Sequence, residues 1–599
     1  MKYEITEQRK NYLDARNYTI LTACPGSGKT TSIVYKLKEL IEEMTKTYSL
    51  GIGVLCLSFT NKACDEIKFK YKEMHGTSIV YPNEVMTIDS FVTQYIVLKY
   101  WYLIDELAKP TIINEEKILH NLFFHRYNGK DAILSDLRKY GKLPHLYAPE
   151  KIEYLGNNMF KMESQKVSRN DGIKYEYCCD VLKIKLHLGV LNSMDALLIA
   201  VKILKKYPDV AKSLVNRFPY IILDEAQDTS QLQFDMIELL KEAGVKNIEL
   251  VGDVNLSIYE WRNAKPKLFL EYSRKADWKH LNLMENRRSV QRIIDLYSRL
   301  TPKGYPKIVS YQVNDAKIPI EIIRYDEGQE KIAIDRFCEI SNTYGLNSRL
   351  VLVRGKTDLV KLSAIKSRIE PWKSKLPYEI IDAQLLYAQN KIKEALRKIN
   401  WACARIICGE EHFEDVKNYI NDNKDRVDYR IILMQILKSL PPLSSSFNEW
   451  DEQVRTLLKE KLEIPDNINF EFKKKMSGEC MRDLKSQPVS NYYGQIVENT
   501  IMPQTIHSVK GASVDAVLLF LHDQPGAQVI SFKDIPNNAN GLDNILEKHR
   551  LIYVACSRAK QFLALAVPSS ITENQIKQRL SGLECHISSY GVQTSLNLI

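Results

Sequence analysis

The chain has 599 residues, of which 45% are hydrophobic and 26% are charged, a composition typical of soluble globular proteins with room for about four domains. It has no run of the ~18 consecutive apolar residues that a membrane helix needs, and its N-terminal segment MKYEITEQRKNY is charged where a secretion signal has an apolar core. Lys and Arg number 84 against 74 Asp and Glu, and the net charge of +10 suits a polyanionic partner. We therefore expect a cytoplasmic protein without a membrane segment.

In chain order, short apolar runs alternate with helical segments. The first series of predicted strands is YTILTA (18–23), GVLCLS (53–58), YIILD (220–224) and NIELVGD (247–253). The second series is RLVLVRG (349–355), DAVLLFL (515–521) and FLALAVP (562–568). Apolar strands that alternate with helices indicate parallel sheets covered on both faces, so the predicted fold class is α/β with two cores. The stretches at about 96–200 and 365–490 lack such runs and are predicted to be mostly helical insertions.

The sharpest local motif is ACPGSGKTT, from Ala23 to Thr31, which follows a predicted strand and opens a helix at about Lys29. Gly26 and Gly28 let the backbone turn its N–H groups toward phosphate oxygens, and the helix N-terminus adds its positive dipole end. Lys29 can reach the β- and γ-phosphates, and Thr30 can hold Mg²⁺. Ala23 stands where the phosphate-loop pattern usually has its first glycine.

A second motif, DEAQD, begins at the last residue of the predicted strand YIILD. Asp224 ends that strand, so its carboxylate would emerge at the carboxyl edge of the sheet and complete a Mg²⁺ site with Thr30. Glu225 can orient or deprotonate the attacking water. Hydrolysis also needs positive charge against the γ-phosphate, and Arg288 and Arg558 from the second core are the candidates.

At this point the chain resembles the UvrD/Rep family of superfamily 1 DNA helicases. The resemblance is ordered and covers nearly the whole chain. Gln8 resembles the adenine-reading glutamine of the family, and DEAQD (224–228) matches its second ATPase motif. The other matching segments are SFTNKACDEI (58–67), TIDSF (87–91), GDVNLSIYEWRNA (252–264), LMENRRS (283–289), TIHSVKGASVDAV (505–517) and EKHRLIYVACSRA (547–559).

The resemblance implies two RecA-like P-loop NTPase cores with ATP between them, each interrupted by an accessory domain. The expected boundaries are 1–95 with 200–280 for the first core, 96–199 for its insertion, 281–364 with 491–599 for the second core, and 365–490 for a divergent second insertion. The implied activity is ATP hydrolysis stimulated by single-stranded DNA and coupled to 3′-to-5′ translocation and unwinding, with ATP and Mg²⁺ as cofactors. Single-stranded DNA or a single-strand/duplex junction is the implied partner.

The resemblance also assigns site residues. Those expected at the nucleotide are Gln8, Ala23, Cys24, Pro25, Gly26, Ser27, Gly28, Lys29, Thr30, Thr31, Arg287 and Gly511. Those expected at DNA are Phe59, Thr60, Asn61, Lys62, Thr87, Ser90, Phe91, Tyr259, Trp261, Arg262, Thr505 and His507. Aromatic side chains among them suit a motor because stacking on bases tolerates any sequence and contributes about 1–3 kcal/mol per base.

Four positions depart from the family pattern. Leu256 stands where the third motif has a glutamine that senses the γ-phosphate, and Arg287 replaces an aromatic residue that stacks on adenine. Ser513 replaces a glutamate of the fifth motif, and Asp89 replaces a common histidine. The catalytic residues Lys29, Asp224, Glu225, Arg288 and Arg558 are all present. We therefore predict intact hydrolysis with altered nucleotide selectivity and altered coupling.

Two further hypotheses stay open beside a helicase that works alone. The chain is similar to the helicase subunit of Gabija-type anti-phage defence systems, which implies a hetero-oligomer with a nuclease subunit (OLD/TOPRIM type), antiviral defence and weak unwinding. Co-elution with a nuclease would favour that hypothesis. The other is a nucleic-acid-binding module with a vestigial ATPase, which single-strand-stimulated hydrolysis that is lost in Lys29→Ala would exclude.

Overall fold

The computed structural model describes residues 4–48, 51–104, 108–113, 137–147, 149–156, 158–162, 165–258, 265–362, 371–389, 391–408, 413–464, 468, 470–473, 481–493, 501, 503–526 and 529–589. Contacts divide the chain into two compact units. One consists of Met1–Arg354 with Gln504–Ile599, and the other is Gly355–Pro503. Within the described part, no helix is long and apolar enough to cross a membrane.

The strands of the described chain are β1 (Tyr18–Ala23), β2 (Val54–Ser58), β3 (Glu84–Thr87), β4 (Thr111–Ile112), β5 (Ile152–Gly156), β6 (Met159–Met162), β7 (Gln165–Val167), β8 (Val190–Leu191), β9 (Tyr220–Asp224), β10 (Asn247–Gly252), β11 (Lys279–Leu283), β12 (Glu285–Asn286), β13 (Val309–Ser310), β14 (Ile320–Tyr325), β15 (Arg349–Val353), β16 (Gln504–Thr505), β17 (Val514–Phe520), β18 (Ala559–Pro568) and β19 (Cys585–Ser589).

The first core is a six-stranded parallel sheet in the order β11-β1-β10-β9-β2-β3. Its central strands are mostly apolar because both faces are covered. Along β9, for example, Ile221 and Leu223 pack into the hydrophobic cluster on one face and Ile222 into the cluster on the other. The predicted runs at 18–23, 53–58, 220–224 and 247–253 are confirmed as strands of this sheet. Since all the strands are parallel, their carboxyl ends share one edge.

Helices cover the two faces of this sheet. One face holds Lys29–Thr47, which packs on the sheet through Ile33, Val34 and Leu37. The other face holds Ser193–Lys206, whose apolar residues join the same cluster as the sheet residues Leu55 and Ile221. The α-helices among the described residues of this part are Glu7–Leu13, Lys29–Thr47, Asn61–His75, Ile88–Phe91, Leu98–Tyr100, Leu143–Leu146, Ile173–Leu188, Ser193–Lys206, Pro208–Arg217, Gln231–Glu242 and Pro266–Tyr272.

The first insertion differs from the predicted helical domain. Beside the helix Ile173–Leu188 it holds an antiparallel sheet, β5-β6-β7, and a small parallel pair, β4-β8. The helix Ser193–Lys206 runs across the predicted boundary at residue 200, and β11 runs across the predicted boundary at residue 280. Both elements pack in the first core, because β11 pairs with β1 and the helix lies on the sheet.

The second core is also a six-stranded parallel sheet, in the order β16-β15-β17-β18-β14-β19. The predicted strands at 349–355, 515–521 and 562–568 are its β15, β17 and β18. The helices of this part are Gln291–Ser298, Glu330–Thr343, Glu547–Cys556 and Glu573–Arg579. Helix Glu547–Cys556 is buried along most of its length and leads directly to Arg558 and β18.

The unit Gly355–Pro503 is helical in its described part and has a hydrophobic cluster of its own. Trp372 and Trp450 lie at the centre of that cluster and are both fully buried. Its helices are Lys356–Leu362, Leu376–Ala388, Ile392–Cys408, Phe413–Asn423, Val427–Ser439, Phe447–Leu462 and Met481–Lys485.

Candidate active site

The phosphate loop joins β1 to the helix that begins at Lys29, as its sequence predicts. Gly26 and Gly28 have φ values of +73° and +82°, which L-residues with a side chain rarely adopt. Gly28 precedes the helix as its N-cap, so the first N–H groups of the helix point to the space above the loop. A helix N-terminus that follows a glycine-rich turn is suited to bind phosphate.

The second core lies directly against this loop. The N–H of Arg287 donates to the carbonyl of Gly26 at 2.9 Å, and a Cβ atom on Gly26 would lie 2.5 Å from the Cβ of Arg288. The loop therefore needs glycine at this position for two reasons, its backbone conformation and the close approach of the other core.

Lys29 lies between the first two acids of DEAQD, Asp224 and Glu225. Its Nζ is 3.0 Å from Asp224 Oδ1 and 2.5 Å from Glu225 Oε1. Burial alone would lower the pKa of Lys29, but the two carboxylates outweigh it and raise that pKa. The pKa of Glu225 falls to about 2 because the attraction of Lys29 and Lys510 exceeds the effect of burial. Glu225 is thus ionised at neutral pH.

Asp224 ends β9 and is 3% exposed at the carboxyl edge of the sheet. Burial raises its pKa, and Lys29 opposes that shift. A carboxylate here and the Thr30 hydroxyl at the start of the helix are hard oxygen donors, which fit Mg²⁺. Among the described residues, no three His, Cys, Asp or Glu side chains form a metal cluster. Mg²⁺ is usually held by one or two carboxylates together with substrate phosphates, and Asp224 with Thr30 fits such a site.

Arg288 and Arg558 lie side by side in the second core. The Arg288 guanidinium donates to the carbonyl of Ser557, and Arg558 donates to the carbonyls of Val554 and Ala512. Neither arginine forms an ion pair with a carboxylate within the described chain. Burial, and next the like charge of Arg288, lower the pKa of Arg558. Arg558 is buried and Arg288 is half-buried. Two such cations without an acidic partner among the described residues form a site suited to an anion.

These groups share one cleft of about 500 Å³. The first core contributes the phosphate loop and Glu225, and the second core contributes both arginines, Arg287 and Gly511. The predicted nucleotide residues that line the cleft are Ala23, Cys24, Pro25, Gly26, Ser27, Gly28, Lys29, Thr30, Thr31, Arg287 and Gly511. Gln8 lies outside this lining, and its Oε1 accepts the backbone N–H of Met284 at 2.8 Å.

Two of the departures from the family pattern, Leu256 and Ser513, also line the cleft. A third, Arg287, pairs with Glu4 at 2.8 Å and lies 5.3 Å from the ring centre of Tyr311. The cleft therefore presents a guanidinium and an apolar side chain where the family pattern has an aromatic ring and an amide.

Several residues of the site were not selected from the sequence. Lys510 Nζ lies 2.5 Å from Asp228 Oδ2 and joins the two cores. Arg9 donates to the carbonyl of Ser27 and supports the phosphate loop from behind. Gln227 donates to Glu225 at 2.5 Å. In the sequence, Lys510 is next to Gly511 and Arg9 is next to Gln8. Their position beside a predicted site residue could have identified them.

The predicted DNA residues of the first core lie where β2 and β3 end. Phe59 is half-buried, while Thr60, Asn61 and Lys62 are exposed at the start of the helix Asn61–His75. Thr60 accepts the N–H of Ala63 and caps that helix. Thr87 caps the next helix, since its hydroxyl accepts the N–H of Ser90. In the second core, Thr505 ends β16 and His507 lies in the following turn.

The prediction that Phe91 contacts DNA is wrong. Phe91 is fully buried, stacks on Tyr95 with ring centres 5.6 Å apart and meets Phe218 edge-on. Neither face of its ring is open to a base, because the helix Ile88–Phe91 turns it into the core. Tyr259, Trp261 and Arg262 fall outside the described residues.

Comparison with known proteins agrees with this geometry. Residues 5–277 match the UvrD/REP helicase N-terminal domain. The chain is similar to a probable DNA helicase II homolog of Mycoplasma genitalium, with 23% identity over 96% of this chain and 86% of that protein. It is also similar to the ATP-dependent DNA helicase Rep of Buchnera aphidicola subsp. Schizaphis graminum, with 24% identity over 91% of this chain and 90% of the relative. It is similar as well to the ATP-dependent DNA helicase PcrA of Staphylococcus aureus, with 20% identity over 94% of this chain and 83% of that protein. Residues 5–277 thus match one helicase domain model, and the chain as a whole is similar to proteins named as DNA helicases.

Proposed function

We propose that this chain is an ATP-dependent motor that moves 3′ to 5′ on single-stranded DNA and separates duplex strands. The observation that carries the proposal is the cleft between the cores. The first core supplies a phosphate loop with an acidic pair, and the second core supplies the buried Arg558 and the half-buried Arg288, which have no carboxylate partner in the described chain. Its relatives carry the names of DNA helicases, which supports DNA as the track.

Each group in the cleft has a chemical role in hydrolysis. The backbone N–H groups after Gly26 and the ammonium of Lys29 bind the β- and γ-phosphates. Thr30 and Asp224 would hold Mg²⁺, which would neutralise phosphate charge. Glu225 is ionised at neutral pH and so can orient the attacking water and accept its proton.

The two arginines supply positive charge where negative charge develops on the γ-phosphate. An arginine in that position contributes about 10³ to 10⁵ in rate. Because Arg288 and Arg558 belong to the second core, they reach the phosphates only while the cores are closed on each other. Hydrolysis and phosphate release remove the anion that holds the arginines against the loop. The cores can then separate, which gives a motor its power stroke.

The departures in the cleft alter selectivity and coupling rather than the chemistry. Arg287 can stack on a base and donate hydrogen bonds, but it lacks the ring that would favour adenine. Leu256 cannot hydrogen bond to a γ-phosphate. We therefore propose looser base selection than in the family pattern, and a coupling route that does not use residue 256.

Hydrolysis on a single strand is the first test. Phosphate release is measured with and without a homopolymeric single-stranded DNA for the wild-type protein and for Lys29→Ala. We expect stimulation by the strand and its loss in the variant, since Lys29 binds the phosphates. Equal rates with and without DNA would contradict the proposed motor.

Polarity is the second test. Unwinding is followed on duplexes with a 3′ tail, a 5′ tail or blunt ends. A motor that moves 3′ to 5′ opens the 3′-tailed substrate and leaves the 5′-tailed one closed. The opposite preference would contradict the proposed direction while leaving the hydrolytic site as described.

A further inference from the structure

Gln227 is fully buried beside the catalytic carboxylate, and both ends of its side-chain amide are occupied. Its Nε2 donates to Glu225 Oε2 at 2.5 Å, and its Oε1 accepts the backbone N–H of Asp253 at 3.1 Å. A carboxylate can only accept and an N–H can only donate, so these partners fix which way the amide points. Gln227 therefore holds one oxygen of Glu225 while Lys29 holds the other.

The backbone at Gly252 packs closely against this amide. A Cβ on Gly252 would lie 2.2 Å from Gln227 Oε1, so a larger residue at 252 would displace the side chain. The carbonyl of Gln227 also accepts the hydroxyl of Ser257 at 3.1 Å, and the carbonyl of Ser257 accepts Arg550 Nε from the second core at 2.6 Å.

Asp253 continues the connection into the second core. It is fully buried, and the hydroxyls of Tyr305 and Tyr553 donate to its two carboxylate oxygens at 3.0 Å and 3.1 Å. Tyr553 lies on the helix Glu547–Cys556, and the next residue, Val554, accepts Arg558 Nε at 2.9 Å. These hydrogen bonds, joined by the backbone between Tyr553 and Val554, connect the Glu225 carboxylate with the Arg558 guanidinium.

We propose that Gln227 is a positioning residue that aligns Glu225 for hydrolysis and ties its position, through Asp253 and Tyr553, to Arg558 in the second core. This inference rests on the proposed hydrolytic function. It explains how the two sides of the cleft communicate in a chain that has Leu256, with no hydrogen-bonding side chain, in the third motif.

Hydrolysis without DNA tests the first part. Gln227→Met keeps the volume of the side chain but removes the hydrogen bond to an ionised carboxylate, so we expect kcat to fall about 10- to 100-fold. KM for ATP should stay within about threefold, since phosphate binding does not involve this amide. A raised KM with unchanged kcat would overturn the inference.

A double-mutant cycle tests the connection to the second core. Tyr553→Phe removes only the hydroxyl that reaches Asp253. If the chain of contacts acts as one unit, this change lowers kcat in the wild-type background and adds little in the Gln227→Met background. Multiplicative effects of the two changes would overturn the connection.

Matched controls separate this role from general destabilisation. Gln384→Met removes an amide that is also bonded at both ends, to Pro441 and Trp450, and Tyr492→Phe removes the hydroxyl of a buried tyrosine bonded to Gln487. Both controls should keep wild-type kcat, and a loss as large as in Gln227→Met would overturn the inference. All rates are compared at temperatures where each variant is folded by circular dichroism. Absence of DNA stimulation would refute the motor alone, because the cycle uses basal hydrolysis, whereas absence of any hydrolysis would refute both.

Discussion

At the scale of single residues, Glu225 combines an unusual backbone with an ionised side chain. Its φ of +56° lies in the left-handed region, which costs a residue with a Cβ of order 1 kcal/mol or more. That conformation directs the carboxylate to Lys29 and Gln227 at the edge of the sheet. Strain of this kind is typical of sites where position matters more than stability.

Replacement of Glu225 by glutamine is the most direct test of its role. Glutamine keeps the shape but cannot accept a proton, so we expect turnover to fall by about 10² to 10⁴. Binding of a fluorescent ATP analogue should persist, because Lys29 and the loop remain. Phosphate release and nucleotide binding are measured on the same preparation. Robust hydrolysis by this variant would contradict the assignment of Glu225 as the base.

The second prediction for a single residue is that Arg287 loosens the selection of the nucleotide base. A guanidinium stacks on any base, so the wild-type rates with ATP, GTP and CTP should lie closer together than a stacking aromatic would allow. Arg287→Tyr should widen the differences in favour of ATP, with Tyr311→Phe as a control at the neighbouring ring. Rates are compared side by side as kcat/KM. A strict ATP preference in the wild-type protein would count against the role given to Arg287.

Asp253 gives a pH prediction for stability. Burial raises its pKa to about 6, and the titratable groups that face it are Tyr305, Tyr553 and Cys24. A carboxyl pKa that is higher in the folded protein than the ~3.9 of an unfolded chain destabilises the folded state once the group ionises. The cost is absent below pH 4 and grows to about 3 kcal/mol as the pH rises through 6.

The measurement is the melting temperature of wild-type and Asp253→Asn proteins between pH 4.5 and 7.5. Asparagine cannot ionise, so the melting temperature of the variant should rise relative to the wild type as the pH increases. If the two curves of melting temperature against pH run parallel, ionisation of Asp253 does not destabilise the folded protein.

At the scale of elements, the contact with the second core and the turn of the phosphate loop both restrict which residue fits at position 26. Gly26→Ala would bring a Cβ within 2.5 Å of the Arg288 side chain. We expect this substitution to weaken ATP binding at least tenfold, since it separates the arginine from the loop. Gly582→Ala is the matched control, because Gly582 has a similar φ of +78° with open space around it. Equal losses of ATP affinity in both variants would point to backbone strain alone.

The same elements show what the sequence could predict. Strands such as β9 and β17 consist mainly of consecutive apolar residues because both faces of a parallel sheet are buried, and that pattern can be recognised from the sequence. Strands β5, β6 and β7 were missed because they are three to five residues long, too short for alternation to stand out. Phe91 was misassigned because a motif match does not reveal which way a side chain faces.

At the scale of the whole molecule, local motifs identified the groups of the cleft but not the contacts between cores. The phosphate loop and DEAQD carry their chemistry within a few residues, so Lys29, Asp224 and Glu225 could be found from spacing alone. The bond from Tyr553 to Asp253 joins positions 300 residues apart in the chain. No periodicity signals such a pair, because it depends on how the two sheets pack.

The alternative of a nuclease-containing defence complex stays a prediction, and co-elution with a nuclease would decide it.

The unit Gly355–Pro503 gives the last prediction. Its described hydrophobic cluster draws only on residues between 372 and 493, and the clusters of the two cores draw on none of these. Val353 of β15 is paired with Thr505 of β16 in register, so the chain leaves and re-enters the second core at neighbouring positions. A Gly/Ser linker of about six residues, with a reach of roughly 20 Å, should therefore replace residues 356–502.

We expect the shortened protein to fold and to hydrolyse ATP without DNA within about threefold of the wild-type rate, because every residue that lines the cleft remains. Lys29→Ala in the shortened chain should abolish that activity, which excludes a contaminating ATPase. Cooperative melting of the shortened protein is the check on folding. Aggregation would contradict the prediction that the two cores fold without residues 356–502. A folded protein without hydrolysis would mean that Gly355–Pro503 is needed for activity.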